Sequence, residues 1–368
     1  MVEKQWTRRE VLFALHETAG IGRVTIRRIM ENGALEQCPA FGDAEWRAIG
    51  LTAAQAAAVQ LSLTPSFVAQ RAALYAREGI AWIGIEDEAY PKLLKAIADP
   101  PWMLYAIGKL DLLEALATSV VGTRMPTAYG RQTARSLSQR LSESGVTIVS
   151  GLARGIDACA HEGGLRGPGS TIAVLGTSIG TIYPPQHASL YQAIAQQGLI
   201  LSEYPLGTIS HPGLFPQRNR IIAGLSRGTI VVEAAEQSGS LITAELAMGY
   251  NREVYAVPGM INSGKSNGTH RLIKKDGATL LTSHEEILKD LYGTDGRTIL
   301  AESNASEQAV ALSSDEQLIV DLLRDEPLHS DQLLALTGFG FGHLHALLIN
   351  LSIKRRIEQH PGSLYSAI

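Results

Sequence analysis

Two stretches decide the reading of the fold: Ser119-Val120-Val121-Gly122-Thr123-Arg124, and Val146 to Val149 running into Ser150-Gly151-Leu152-Ala153-Arg154-Gly155. Each is a short β-branched run that ends in glycine, small polar residues and an arginine. A helical pattern through Ala134, Leu137 and Leu141 lies between them. β-Branched side chains favour extended backbone, and uninterrupted apolar runs of this length belong to strands buried on both faces. The pattern continues with expected strands at Thr171 to Leu175, Leu199 to Leu201, Thr229 to Val232 and Val254 to Val257, and helices near Ala188 to Ala195 and Leu241 to Tyr250. Strands alternating with helices predict a doubly wound α/β domain around a mostly parallel sheet.

Outward from this centre the chain changes character. Residues 1–80 read as helical: Thr7 and Glu10 have capping-box spacing before Val11, Leu12 and Leu15, and Gly20-Ile21-Gly22 separates two short helices in the manner of a helix-hairpin-helix. An ordinary helical hairpin that needs glycine to turn fits the same residues. The proline cluster Asp99-Pro100-Pro101-Trp102 marks Ala81 to Leu116 as a connecting region, taken with the α/β domain as residues 81–292. Residues 293–313 lack periodicity and read as a linker. Helices at Asp315 to Leu323, Ser330 to Leu336 and His343 to about Leu351, followed by a hairpin around Pro361-Gly362, predict a small winged-helix domain over 314–368. Lys354-Arg355-Arg356 reads there as a solvated charge run.

Composition narrows the class. With 368 residues, 45% hydrophobic and 18% charged, the chain has ample material for packed cores and suits two or three domains. No apolar run approaches the ~20 residues of a bilayer span, and the N-terminus is charged rather than signal-like. Cys38 and Cys159 are too few for a disulfide framework or a cysteine zinc site. A cytoplasmic protein without metal or cofactor is expected. The net charge of −4 hides an uneven distribution: Ser119 to Asp276 carries 14 Arg and Lys against nine Asp and Glu, a net of +5.

Ligands of open parallel sheets bind beyond the carboxyl ends of the strands, where backbone amides and helix N-termini converge. Glycine and small polar residues are expected there three times, at Gly122-Thr123-Arg124, Ser150 to Gly155 and Gly176-Thr177-Ser178. Arg124 and Arg154 add formal charge. Phe215-Pro216-Gln217-Arg218-Asn219-Arg220 is denser still and is expected just before a helix at Ile221 to Leu225. Guanidinium forks suit phosphate oxygens and an aromatic face stacks a base, so this segment points to a nucleotide or a nucleic-acid strand. The bland alternative packs Phe215 into the core and pairs one arginine with Glu203 or Glu233. Ser238-Gly239-Ser240 supplies further amides and hydroxyls.

Other chemistry finds less support. Gly259 to Ser266 matches the Walker A pattern, but Asn267-Gly268 is expected to delay the following helix to about Thr269, so the match reads as coincidental. His161-Glu162 has no metal-ligand spacing, and no GxSxG or strict GxGxxG is present. The rival reading is an enzyme acting on a mononucleotide with Glu233 or Glu236 as the reacting carboxylate; a P-loop ATPase is a weaker one.

Taken together, VGTR (Val121 to Arg124), SGLARGID (Ser150 to Asp157), the YPP turn (Tyr183 to Pro185), LSEYP (Leu201 to Pro205), FPQRNRIIAGLS (Phe215 to Ser226), SGSLITAELA (Ser238 to Ala247) and AVPG (Ala256 to Gly259) resemble the DNA-processing protein A family, also called DprA or Smf. The resemblance runs from about Tyr90 to Leu288. It implies an extended Rossmann-like domain that binds single-stranded DNA, dimerises and helps load the RecA recombinase during natural transformation, with no enzymatic step. Family-like DNA contacts map onto Arg124, Phe215, Arg218, Arg220 and the Ser238-Gly239-Ser240 loop. Together with the reading of the residues, the expected DNA-binding set is Gly122, Arg124, Ser150, Gly151, Arg154, Phe215, Arg218, Asn219, Arg220, Ser238, Gly239, Ser240 and Lys265.

Overall fold

The computed structural model describes residues 6–275, 277–293, 313–324, 327–353, 356–360 and 362–367. The chain divides into two compact units, Met1–Ala301 and Glu302–Ile368. The expected linker, apart from its two end residues, lies outside the described residues, as do Lys354 and Arg355.

The first unit opens with helices α1 (Arg8–Glu17), α2 (Arg23–Glu31), α3 (Asp43–Ala48), α4 (Ala53–Ser62) and α5 (Pro65–Arg77). The capping box forms: the Thr7 amide donates to Glu10 Oε2 at 3.1 Å and the Glu10 amide to Thr7 Oγ1 at 3.3 Å. Gly20 turns the chain with a φ of +82°, and Gln55 of α4 donates to its carbonyl, so the glycine turn is anchored within the helical layer with Ile21 buried. These helices share a core with the remainder of the first unit. Phe13, Ile26 and Tyr75 pack in the same apolar cluster as Tyr105, Ile172 and Leu201. The Glu17 carboxylate, 1% exposed, is held by Arg71 and by the hydroxyls of Tyr75 and Tyr105, at 2.7 and 2.5 Å.

Among the described residues this unit has a nine-stranded sheet of β1 (Ala81–Gly84), β2 (Met103–Gly108), β3 (Ala117–Val121), β4 (Thr147–Ser150), β5 (Thr171–Val174), β6 (Leu199–Ser202), β7 (Gly228–Val231), β8 (Glu253–Ala256) and β9 (Thr279–Leu280), in the order β1-β2-β6-β5-β4-β3-β7-β8-β9. Pairing is parallel from β6 through β9. The region expected only to connect instead supplies β1 and β2, which extend the sheet antiparallel. A short helix ends at Lys95, and beyond the prolines Met103, Leu104, Tyr105 and Ala106 bury as a strand. The connecting helices are α6 (Lys92–Lys95), α7 (Ala128–Glu143), α8 (Ile156–Gly164), α9 (Ala188–Gln197), α10 (Leu214–Leu225), α11 (Gly239–Gly249), α12 (Asn267–Lys274) and α13 (His284–Tyr292). Val120, Ile148 and Ile230 fall in one apolar cluster while their neighbours Val121, Val149 and Val231 fall in another, as the two-residue repeat of a doubly covered sheet requires.

β3 is the strand at which the winding reverses: the chain moves from it to β4, β5 and β6 on one side and returns on the other at β7. The loops leaving β3 and β7 therefore diverge and open a crevice. In the second unit, helices Ser314–Leu322, Ser330–Thr337 and Phe341–Ile353 and strands β10 (Leu328–His329), β11 (Ile357–His360) and β12 (Leu364–Ala367) close on Ile319, Leu333, Leu344, Leu351 and Ile357 as a winged helix. Among the described residues no single helix is long and apolar enough to cross a membrane.

Candidate nucleic-acid interface

Helix α10 begins at Leu214, not after Arg220, so Phe215 to Arg220 form its first turns. Pro216 fits there because the opening residues of a helix need no intrahelical N–H bond. Helical geometry then separates the two arginines, which stand about 200° apart around the axis. Arg218 turns to the C-terminal edge of the sheet. Its Nη1 donates to the carbonyl of Gly151 at 2.6 Å and to that of Val174, and the side chain is nearly enclosed, which lowers its pKa to about 10 against the opposing pull of Asp157. Arg220 turns the other way and corrects the expectation: its Nη2 lies 2.6 Å from Glu203, both side chains buried, and its Nε 3.5 Å from the partly exposed Asp99, which Arg23 and Arg27 of α2 also pair from the solvent side. It lines neither of the two cavities in the crevice and is a strut, the role the bland reading allowed for one of the pair.

The larger cavity, of about 450 Å³, lies between the loops after β3 and β7 and is lined among others by Gly122, Arg124, Asp157, Phe215, Arg218 and Asn219, with Ser238, Gly239 and Ser240 on its far wall. A neighbouring hollow of about 340 Å³ adds Gly151 and Arg154 and shares Arg124, Tyr183, Phe215 and Arg218. Arg124 and Arg154 are exposed at the rim, the latter donating to Gln186 at 3.3 Å. Phe215 is half-buried, and the ring of Tyr183 stands 5.1 Å from it, 49° off parallel and 48% exposed. As an aromatic surface Tyr183 escaped the sequence reading, although an aromatic beside two prolines past a strand end was a usable signal. Ser238 does not cap α11; its hydroxyl meets that of Ser240 at 2.8 Å, which leaves the first amides of the helix facing the cavity.

The glycines have definite reasons. A β-carbon on Gly151 would run into the Arg218 guanidinium, one on Gly176 into the Phe215 ring, and one on Gly122 into Ile156. Asp157 accepts from the amides of Gly151 and Ala153 at 3.2 and 3.3 Å and so folds the SGLARG loop back on itself. Burial pushes its carboxyl up, opposed by Arg218.

Several expected residues lie elsewhere. Ser150 is fully buried, donating to the Val120 carbonyl at 2.6 Å, and lines neither cavity, because it is the last residue of β4 and points into the sheet's packing. Lys265 also lies outside both cavities, its ammonium bonded to the Met125 carbonyl at the rim. The Walker-like segment runs directly into α12 at Asn267, without the expected delay. It still offers no cradle: the Gly268 amide is taken by the Ala234 carbonyl at 2.8 Å and Lys265 faces away. Glu233 accepts from the Thr127 amide at 2.9 Å and its hydroxyl at 2.5 Å, closing the start of α7, so it is no free reacting carboxylate. Glu236 is exposed on the loop before α11. His161 is a core residue bridging the Leu152 amide and Thr171, its pKa driven down to about 3 by burial. Among the described residues no group of His, Cys, Asp or Glu is placed to hold a metal ion.

Residues 81–292 match the family model of the DNA recombination-mediator protein A, and residues 303–363 that of the DprA winged helix domain. The chain is similar to the Smf protein of Synechocystis, 39% identical over 312 residues, which are 76% of this chain and 78% of that one. It is 47% identical to Escherichia coli Smf over 57% of this chain and 56% of the relative. Among solved structures, DNA processing protein A from Streptococcus pneumoniae is 35% identical with a TM-score of 0.68, covering 78% of this chain and 99% of that one. DNA processing protein A from Helicobacter pylori, a protein with a single-stranded DNA binding mode, is 34% identical with a TM-score of 0.54, over 58% of this chain and 96% of that one.

Proposed function

Because the chain belongs to the DprA/Smf family, we propose that the crevice between the β3 and β7 loops holds single-stranded DNA, in DNA processing during natural transformation. The observation that carries this reading is the convergence of exposed Arg124 and Arg154, the Phe215–Tyr183 ring pair and the open start of α11 on one crevice. Phosphates lie against the two rim arginines, Asn219 and the amides of Gly239 and Ser240. Bases stack on the rings, which offer a π-face to any base and so read no sequence. Arg218 braces the floor and lends its charge, while Gly122 and Gly151 keep the loops close. The strand is held rather than cut, since Glu233 is bound into the scaffold. In this reading the protein is a cytoplasmic homodimer that shields the strand and loads the RecA recombinase onto it.

The test is the affinity for fluorescein-labelled oligo-dT as salt rises from about 50 to 200 mM. Affinity falls steeply, and Arg124→Ala and Arg154→Ala each weaken binding and flatten the logarithmic salt slope by about 0.7, the value for one single-strand phosphate contact. A slope and affinity unmoved by both substitutions overturn the reading. Loading is checked separately, by the rate at which RecA nucleates on single-stranded DNA with and without this protein.

A further inference from the structure

The loop after β8 carries the Walker-like motif that the crevice does not use, and it is apolar where it meets solvent. Met260 and Ile261 are 76% and 93% exposed. Beside them, where β3 leads into α7, Met125 is 76% exposed and Tyr129 52%. The two segments are tied together: the Tyr129 hydroxyl donates to the Pro258 carbonyl at 3.0 Å and the Lys265 ammonium to the Met125 carbonyl. Scattered apolar side chains on a surface need no explanation, but large ones gathered on adjoining loops mark a contact surface. Residues 122–131 and 257–266 contain Arg124, Arg131 and Lys265 and not one Asp or Glu. Met125 also lines the smaller hollow of the crevice, beside Arg124, Arg154 and Phe215, so the apolar strip begins where the crevice ends.

We propose that this strip is the onward path of the strand: single-stranded DNA leaving the crevice lays its bases over Met125, Tyr129, Met260 and Ile261 while Arg124, Lys265 and Arg131 neutralise its phosphates. The proposal rests on the single-strand reading of the crevice. Two loops that carry apolar side chains and cations but no carboxylate of their own, the nearby Glu233 being buried on Thr127, suit a polyanion that carries flat apolar bases, and methionine conforms to irregular faces that differ from base to base.

The experiment measures the affinity of the full chain for labelled oligo-dT of about 6 and about 16 nucleotides, lengths that bracket common single-strand site sizes. The wild-type protein binds the longer oligomer more tightly. Met260→Ser/Ile261→Ser leaves the short oligomer unaffected and weakens the long one about tenfold, within the range for losing base contacts. Tyr129→Ala acts in the same direction, and Lys265→Ala flattens the salt slope for the long oligomer alone. Both residues of the double variant are exposed, so its fold, followed by thermal melting, stays intact and decides the matter should Tyr129→Ala unfold. Unchanged long-oligomer affinity in the double variant overturns the proposal and leaves the crevice reading standing on the short oligomer. The same holds if that variant loses only RecA nucleation, which would make the strip a protein-docking face. An equal loss at both lengths also overturns it, placing the loop in the crevice itself. Failure of the wild-type protein to bind either oligomer removes both readings.

Discussion

Arg218 passes beneath Gly151: its Nη1 donates to the Gly151 carbonyl at 2.6 Å, in space that a β-carbon on that glycine would occupy. Helix α10 and the loop after β4, 67 residues apart in sequence, thus meet through a guanidinium that needs a missing side chain. Gly151→Ala displaces Arg218 from the crevice floor, costing about 1–3 kcal/mol of stability as overpacking does and weakening oligo-dT binding. A melting temperature and an affinity both equal to wild type would show that the two groups part freely.

Arg220 makes a different prediction from its neighbour two residues away. Removing one partner of a buried ion pair strands the other, at about 3–5 kcal/mol. Arg220→Ala should therefore lower the urea midpoint sharply by leaving Glu203 unmatched, Asp99 keeping Arg23 and Arg27, while the protein that remains folded keeps its affinity for oligo-dT. Arg220→Ala/Glu203→Gln should recover part of the loss. If Arg220→Ala abolishes binding with an unchanged urea midpoint, the arginine contacts DNA after all.

Glu233 is assigned to scaffolding, so Glu233→Gln should cost about 1 kcal/mol, the scale of a helix start losing a capping charge, with DNA affinity retained. Nucleotide hydrolysis by the wild-type protein that vanishes in Glu233→Gln would contradict this and revive the mononucleotide enzyme.

Acid sensitivity arises from the enclosed imidazoles. Burial lowers His161 to about 3 and His16 to about 4 from an ordinary 6.5. Between these values and pH 6.5 the unfolded chain binds more protons than the native one, so stability is complete above about pH 6.5 and declines below it, by up to about 1.4 kcal/mol per pH unit for each imidazole. Asp157, raised by burial, acts with the opposite sign at lower pH. Urea midpoints should drop from pH 7 to pH 5, with a shallower decline in His161→Gln. A midpoint independent of pH over that interval would exclude the effect.

The strands at the centre of the sheet were legible because Ser119 to Val121 and its counterparts are buried on both faces and need no tertiary information to be recognised. The winged helix was legible for a related reason: three short helical stretches follow one another closely and the hairpin after them has a turn signal at Pro361-Gly362. β1 and β2 were not, since short antiparallel strands flanking a proline cluster look like connection until β6 presents an edge to pair with. At the crevice the residue types were readable and their directions were not. Arg218 and Arg220 are equivalent on paper, and only the true start of α10 at Leu214 fixes which one faces the crevice and which is paired. Ser150 misled for the same reason, a hydroxyl at a strand end being as apt to point inward as outward.

The Glu17 carboxylate is gripped by Tyr105 of β2 as well as by Arg71 and Tyr75 of α5, and the Tyr75 hydroxyl also receives the Leu206 amide at 3.0 Å. A truncated protein starting at Ala81 would inherit a raw apolar flank over Met103 and Tyr105 and several stranded donors, and would tend to self-associate. Dissection of this chain belongs at the 301/302 division, with its helical N-terminal segment left attached.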